Sequence, residues 1–267
     1  MAEYSKTQID KLGDRLKADK IAPDDLKMLD EYRDSFRKAY DHVFEKLESL
    51  NLRPSGRPSK STPSIVDKLR RESIRLSQMQ DIAGCRIVVD TIAEQDGVAT
   101  KICAAYPKTV IVDRRLKPSH GYRAVHAIIT VLEQLVEIQI RTKSQHEWAE
   151  YSEMWADAED PSIKYGGYPG LAARLERLSD LLFAIEESKN VGPESLRKVL
   201  RDFIYQTYPS ATEEEVNDLY ADMFFDYDMF RDCFSPNGGS ELRANIVGYG
   251  RTRRAELRDK LDSAKDD

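Results

Sequence analysis

The stretch Leu135-Val136-Glu137-Ile138-Gln139-Ile140-Arg141 decides how the fold is read, because apolar and polar residues alternate in it without a break. Side chains alternate between the two faces of a β-strand, so this pattern predicts a strand whose apolar face carries Val136, Ile138 and Ile140. The other face carries an acid, an amide and a base in a row: Glu137, Gln139 and Arg141. Such a face either lies open to solvent or lines a site, and alternation alone leaves both interpretations open.

A second β-rich run, residues 122–132, precedes this strand. Only residues 133 and 134 separate the two runs, which predicts an antiparallel hairpin with its turn at these two residues. This register places Arg141 opposite His126, and directly opposed residues share a face. The prediction therefore brings five polar or aromatic side chains to one side of the sheet: Tyr122, His126, Glu137, Gln139 and Arg141.

Outside the hairpin, the pattern predicts helices toward both ends of the chain. Residues 4–49 show helical spacing in two segments, and the Pro- and Gly-containing stretch 53–58 ends this helical hairpin. Further strands are predicted at residues 85–89 and 109–112. Further helices are predicted at residues 64–75, 90–106, 143–158, 171–187, 192–208 and 211–225, followed by a break at 236–239 and a charged terminal helix. Thr142-Lys143-Ser144-Gln145 matches a capping box, which predicts the start of the helix at 143–158.

These elements predict an α+β fold in which a mixed β-sheet is flanked by helices, with an N-terminal helical hairpin and C-terminal helices. We expect three segments: N-terminal helices at 1–50, a core at 51–160 and a C-terminal helical extension at 161–267.

Composition narrows the class of protein. The formal charge of −6 argues against a general polyanion binder, and no apolar run approaches the ~20 residues that span a bilayer. The first residues lack the apolar core of a signal peptide. Three cysteines lie far apart and without metal-binding spacing, so we expect reduced thiols in a cytoplasmic protein: Cys85, Cys103 and Cys233.

Five short motifs occur in order between residues 53 and 158. Each is too common to identify a chemistry by itself. In chain order they are Gly56-Arg57-Pro58-Ser59-Lys60 with Ser64-Ile65-Val66-Asp67-Lys68-Leu69; Met79-Gln80-Asp81-Ile82-Ala83-Gly84-Cys85-Arg86; Lys117-Pro118-Ser119-His120-Gly121-Tyr122-Arg123-Ala124-Val125-His126; Glu137-Ile138-Gln139-Ile140-Arg141-Thr142; and His146-Glu147-Trp148-Ala149-Glu150.

The ordered set resembles the synthetase domain of RelA/SpoT-type alarmone synthetases. The resemblance implies a nucleotidyltransferase-like mixed sheet and a magnesium-dependent pyrophosphokinase. Such an enzyme moves the β,γ-diphosphate of ATP to the 3′-hydroxyl of GDP or GTP and makes (p)ppGpp.

The resemblance also implies a role for each matching residue. Asp81 and Glu137 would bind Mg²⁺, Glu137 would also activate the acceptor hydroxyl, and Tyr122 would stack on the acceptor guanine. Contacts to ATP are implied for Arg57, Lys60, Ser64, Lys68 and Arg86. A place in the acceptor pocket is implied for Lys117, His126, Gln139 and Arg141.

These implied roles agree with elementary chemistry. A hard cation prefers carboxylate oxygens, and a triphosphate requires cationic partners. A carboxylate within hydrogen-bond reach of a hydroxyl can accept its proton. Taken singly, Asp81 also suits a turn cap, and Lys60 or Lys68 a solvated surface charge; the ordered set favours the functional interpretation.

The sequence departs from the family pattern in two loops. The segment between Arg57 and Ser64 is one residue longer than usual, which leaves open whether Ser59 or Lys60 replaces the expected lysine. The segment between Lys117 and Tyr122 is also one residue longer. Both loops face nucleotides in the family, so the insertions bear on acceptor choice.

Other residues bear on regulation and on alternative functions. No histidine precedes an aspartate, so we expect a stand-alone synthetase without the family's hydrolase or its ribosome-sensing modules, and the C-terminal helices are expected to pack on the domain or pair protomers. One alternative is a toxin of the same fold, paired with an antitoxin, that makes adenosine alarmones or pyrophosphorylates the 3′ end of tRNA. A tRNA acceptor requires a basic track, for which the candidates are Arg70, Arg71, Arg114, Arg115 and Lys117. A second alternative is a non-catalytic nucleotide-binding regulator, which would need neither Asp81 nor Glu137.

Overall fold

A computed structural model describes residues 4–18, 20–188 and 193–235, except for the side chains of Arg57 and of residues 193–195. The predicted break at 236–239 and the terminal helix lie outside these residues. The described chain folds into two compact units. The first consists of residues 4–113 and 124–141, and the second of residues 114–123 and 142–235.

Helices of the first unit flank its sheet. They are α1 (Lys6–Lys17), α2 (Pro23–Asp34), α3 (Arg37–Ser49), α4 (Thr62–Arg71) and α5 (Ile92–Ala105). The N-terminal region was predicted to form two helices but forms three, because the second helical pattern is interrupted after Asp34. There the Ser35 hydroxyl donates a 2.6 Å hydrogen bond to the Tyr32 carbonyl oxygen. A serine that binds nearby backbone in this way competes with continuation of the helix.

A five-stranded mixed sheet forms the centre of the first unit, so the predicted α+β class is confirmed. The strands occur in the order β1-β2-β5-β4-β3. They are β1 (Ser55–Arg57), β2 (Ala83–Val89), β3 (Val110–Asp113), β4 (Val125–Val131) and β5 (Gln134–Thr142). β2 and β5 are therefore neighbours although 44 residues separate the end of one from the start of the other.

The hairpin between β4 and β5 turns one residue earlier than predicted. Leu132 and Glu133 have φ values of 49° and 65°, the left-handed conformation that a two-residue type I′ turn requires at both positions. His126 consequently lies opposite Gln139 and not opposite Arg141. The partner changes by two residues, so every side chain keeps its predicted face.

The apolar face of β5 lies in the main hydrophobic core. Val136, Ile138 and Ile140 have no exposed surface and belong to one cluster with apolar residues of α1, α3 and α4. Each fully buried side chain of this type contributes about 1.5–3 kcal/mol relative to an exposed one. This burial fixes which face of the sheet remains available for a site.

The second unit is helical. Its helices are α6 (Lys143–Ala158), α7 (Pro169–Glu187), α8 (Pro193–Thr207) and α9 (Glu213–Phe234). The predicted cap of α6 is confirmed, because the Gln145 amide donates to Thr142 Oγ1 at 3.2 Å and the Thr142 amide donates to Gln145 Oε1 at 3.3 Å. α9 extends beyond the predicted end at residue 225 because its buried stripe continues through Phe230 and Cys233. Among the described residues, no helix is long and apolar enough to cross a bilayer.

Candidate active site

Asp81 is held between two lysines in the turn just before β2. Lys60, in the loop after β1, places its Nζ 2.6 Å from Asp81 Oδ2. Lys68, on α4, places its Nζ 2.9 Å from Asp81 Oδ1. The three side chains are 17–22% exposed, so these are partly desolvated ion pairs. Two ATP-binding candidates and one metal-binding candidate thus meet in three dimensions.

The two lysines determine the charge state of Asp81. Burial disfavours the carboxylate, but the positive charges of Lys60 and Lys68, together with their hydrogen bonds, outweigh burial. The pKa of Asp81 is therefore lower than its ordinary value. Asp81 is an anion at neutral pH, as a metal ligand must be.

Glu137 lies in a row of hydrogen-bonded side chains on the polar face of β4 and β5. Its Oε1 is 2.7 Å from His126 Nδ1, and its Oε2 accepts a 2.9 Å hydrogen bond from Gln139 Nε2. The amide oxygen of Gln139 in turn accepts a 2.9 Å hydrogen bond from an Nη of Arg141. Four of the five side chains predicted to share this face are therefore brought together.

The environment of Glu137 also favours its ionised form. Burial disfavours the charge, and the nearby carboxylate of Asp81 adds to that effect. The interactions with His126 and Gln139 outweigh both, so the pKa of Glu137 lies below its ordinary value. The ionised carboxylate can accept a proton, and its lowered pKa makes it a weaker base than an exposed glutamate.

The two carboxylates line one cleft of about 280 Å³ in the first unit. Two glycines allow the strands under the cleft to approach closely. A Cβ on Gly56 would lie 2.7 Å from the Gly84 carbonyl oxygen, and a Cβ on Gly84 would lie 2.7 Å from the Glu137 carbonyl oxygen. The lining residues are Ser55, Gly56, Lys60, Asp81, Ile82, Gly84, Cys85, Arg86, Glu137 and Gln139.

The remaining ATP-binding candidates lie around the same loop and strand. Arg86 lines the cleft from β2, opposite Ser55 of β1. Ser64 lies in the first turn of α4, with its hydroxyl oxygen 2.8 Å from that of Ser61. α4 was predicted to begin at Ser64 but begins at Thr62. The side chain of Arg57 lies outside the described residues, although its backbone pairs with Gly84.

Two residues of this region were missed by sequence reasoning. Arg33 of α2 donates hydrogen bonds to the Ser59 hydroxyl at 3.2 Å and to the Thr62 hydroxyl at 3.5 Å, and so supports the loop that carries Lys60. Nothing in the helical pattern of α2 marked this contact. Cys85 lines the cleft, but burial raises the pKa of its thiol to about 12, so it stays protonated.

Tyr122 and Lys117 belong to the second unit, and Tyr122 is not part of β4 as predicted. Residues 119–122 form a tight turn in which His120 and Gly121 both have positive φ, and this turn ends before β4 begins. Tyr122 is half-buried and packs against the hydrophobic cluster of α6, α7 and α9. Lys117 is exposed in the loop that precedes the turn. Their acceptor-binding roles remain predictions.

The described residues fit a Mg²⁺ ion that is held jointly with phosphates. No group of three or more His, Cys, Asp or Glu side chains suited to a metal occurs among them. Mg²⁺, however, is commonly bound by one or two carboxylates together with substrate phosphates and water. Asp81 and Glu137 supply two carboxylates to one cleft and influence each other electrostatically, which matches that arrangement.

Part of the chain matches a known protein family. Residues 56–158 match the family described as "Region found in RelA / SpoT proteins". The chain therefore contains a RelA/SpoT synthetase-like domain over part of its length.

Individual relatives share the same part of the chain. An uncharacterized protein of Mycobacterium tuberculosis is 40% identical over 115 residues, which are 42% of this chain and 42% of that protein. A guanosine-3′,5′-bis(diphosphate) 3′-pyrophosphohydrolase of Aquifex aeolicus is 33% identical over 138 residues, or 49% of this chain and 19% of the relative. A GTP pyrophosphokinase of Photobacterium angustum is 24% identical over 221 residues, or 78% of this chain and 29% of the relative. The chain thus spans less than half the length of these relatives.

Solved structures of small alarmone synthetases are also similar. Small alarmone synthetase 1 from Bacillus subtilis, bound to its product pppGpp, has 26% sequence identity and a TM-score of 0.49, and the match covers 61% of this chain and 95% of that one. The same enzyme bound to AMPCPP has 26% identity and a TM-score of 0.45 over 61% of this chain and 94% of that one.

Proposed function

We propose that this protein is a Mg²⁺-dependent pyrophosphokinase that transfers the β,γ-diphosphate of ATP to the 3′-hydroxyl of GDP or GTP. The observation that carries the proposal is the cleft in which Asp81, clamped by two lysines, and Glu137, held by His126 and Gln139, line one space. The match of residues 56–158 to the RelA/SpoT family model supports the reaction class. The name of the Photobacterium relative supports a guanine acceptor.

ATP binding relies on the basic side chains around the cleft. A nucleoside triphosphate brings several negative charges, and Lys60, Lys68 and Arg86 supply positive charges within or beside the cleft. Asp81 and Glu137 would hold Mg²⁺, which neutralises charge on the phosphates when it is bound. The role of Arg57 in this set follows from its position in the matched motif.

Transfer then needs one base and one leaving group. A Glu137 oxygen accepts the proton of the acceptor 3′-hydroxyl, and the hydroxyl oxygen forms a bond to the β-phosphorus of ATP. The bond between that phosphorus and the oxygen bridging to the α-phosphorus breaks, and AMP leaves with the electron pair. Lys60 and Lys68 stabilise the charge that develops on the phosphoryl oxygens. A carboxylate has about four lone-pair sites, so Glu137 keeps acceptor capacity beside its two hydrogen bonds.

The acceptor-binding roles of Tyr122, Lys117 and His126 rest on their positions in the matched motifs. Tyr122 offers a flat aromatic surface for a purine, and Lys117 a cation for its phosphates. His126 is buried and lies outside the cleft lining, with its Nδ1 2.7 Å from Glu137 Oε1, so its acceptor role rests on the matched motif alone. The two one-residue insertions in the nucleotide-facing loops make the acceptor the least constrained part of this proposal.

An acceptor competition tests the proposal. Purified protein, Mg²⁺ and ATP labelled in the β-phosphate are incubated in parallel with GDP, GTP, AMP, ATP alone and deacylated tRNA. We expect label on GDP or GTP, and we expect Glu137→Gln to abolish it while its circular dichroism spectrum and melting temperature stay near those of the unmodified protein. Label on adenine nucleotides or on tRNA instead would establish the toxin alternative. Binding of nucleotides without transfer to any acceptor would establish the regulator.

A further inference from the structure

We infer that Arg141 is a positioning residue that acts through Gln139 to fix the carboxylate of Glu137, and that it is not a contact for the acceptor. The inference rests on the proposed function, because it takes Glu137 as the group that receives the hydroxyl proton. It changes the assignment that the sequence motif implied for Arg141.

Burial of Arg141 is the first observation. The residue is only 7% exposed, and its side chain is not among those that line the cleft. Gln139, by contrast, lines the cleft and lies between Arg141 and Glu137. A guanidinium with so little accessible surface has little area to offer a nucleotide.

The donors and acceptors of Arg141, Gln139 and Glu137 allow the hydrogen bonds in this row to run in one direction only. A guanidinium has only donors, an ionised carboxylate has only acceptors, and a primary amide has both. The Gln139 amide can satisfy both neighbours in one orientation only: its oxygen faces Arg141 and its NH₂ faces Glu137. The distances, 2.9 Å for each bond, correspond to that orientation.

The same row fixes both oxygens of Glu137. Gln139 binds Oε2 from its own strand, while His126 approaches Oε1 from β4, where it lies directly opposite Gln139. With Arg141 holding the amide, rotation of the carboxylate breaks at least one of these contacts. The structure therefore presents a base whose lone pairs point in a fixed direction before any nucleotide binds, which is the preorganisation that catalytic carboxylates need.

Steady-state kinetics of Arg141→Lys, Gln139→Leu and the double variant test the inference. Lysine keeps the buried charge but loses the planar fork, so folding should be retained. We expect kcat to fall about 10- to 100-fold in each single variant, because small misplacements of a reacting group have effects of this size. In Arg141→Lys we expect KM for ATP and for the acceptor to stay within about twofold. Since Arg141 acts through Gln139, adding Arg141→Lys to Gln139→Leu should cause little further loss.

Two results would overturn the inference. A rise in acceptor KM with unchanged kcat in Arg141→Lys would make Arg141 a substrate contact. Multiplicative losses in the double variant would mean that Arg141 acts independently of Gln139.

A spectroscopic measurement separates this inference from the proposed function. The side-chain NH₂ signals of Gln139, identified by their loss in Gln139→Leu, should shift in both Arg141→Lys and Glu137→Gln. This shift is expected even if the protein transfers nothing to any acceptor. Signals that stay unchanged in both variants would refute the hydrogen-bonded row, whatever the activity.

Discussion

Replacing Lys68 with methionine should lower the free energy of unfolding by about 1–3 kcal/mol. An exposed ion pair contributes up to about 1 kcal/mol, whereas removing one partner of a fully buried pair costs about 3–5 kcal/mol. The side chains of Lys68 and Asp81 are 20% and 17% exposed, so the loss should fall between these limits. Lys60 still binds the other carboxylate oxygen of Asp81, so the loss should stay below the roughly 3–5 kcal/mol expected for a buried pair that loses its partner.

Urea unfolding of Lys68→Met, Asp81→Asn and the double variant measures this directly. Asp81→Asn should be the most destabilising single change, because it leaves two partly buried ammonium groups without their shared counter-charge. The double-mutant cycle formed by these variants and the unmodified protein should give a coupling free energy of about 1–2 kcal/mol between Lys68 and Asp81. Lys101→Met, on the exposed side of α5, is the matched control and should change stability by no more than about 0.5 kcal/mol. Coupling below about 0.3 kcal/mol would show that the ion pair does not form in solution.

Three further predictions concern the second unit. Burial raises the pKa of Glu186, so the stability that this group contributes is complete in acid and is lost as pH rises through its folded-state pKa. Glu186→Gln should therefore raise the melting temperature at pH 7 more than at pH 4. An equal rise at both pH values would refute this prediction. Gly121→Ala should lower the free energy of unfolding in urea by about 2–5 kcal/mol, because φ is +81° and the new Cβ would lie 2.6 Å from Trp148 Cζ2. The control Gly97→Ala, with open space in α5, should be neutral or stabilising. Similar losses of stability in both variants would contradict the packing argument. Tyr122→Ala should raise KM for the acceptor about 10- to 100-fold and leave KM for ATP nearly unchanged, because stacking on a base contributes about 1–3 kcal/mol. Tyr122→Phe, which keeps the ring, should keep the activity. An equal rise in KM for both substrates in Tyr122→Ala would exclude the stacking role.

The alternation in β5 was sufficient to predict the polar face but not the pairing across it. Side chains repeat every two residues, so the faces of Glu137, Gln139 and Arg141 follow from the strand alone. The partner of His126 depends on where the chain turns, and the turn at Leu132 and Glu133 has no glycine or asparagine to mark it. The face prediction was nevertheless correct because the register differs by two residues, which preserves the alternation.

The contacts of Asp81 could not be read from spacing. Lys60 and Lys68 lie 21 and 13 residues before it and reach it from a loop and from a helix. Each residue was identified by its motif, but which lysine binds which oxygen depends on where the Lys60 loop and α4 lie around Asp81. The contact of Arg33 was even less predictable. This residue supports the Lys60 loop from α2, and no motif or spacing near it in the sequence indicates that contact.

The sequence by itself determined the strand and helix types, the α+β class, the capped start of α6 and the polar face that carries Glu137. All of these follow from periodicity and from hydrogen bonds within a few residues, which are properties of short segments. Only the tertiary structure decided that β2 and β5 are neighbours and that Asp81 and Glu137 therefore line one cleft. It also decided that Arg141 lies buried behind Gln139. These relations join residues that are distant in the chain or differ only in burial, and they are settled by core packing, which the order of residues along one strand does not contain.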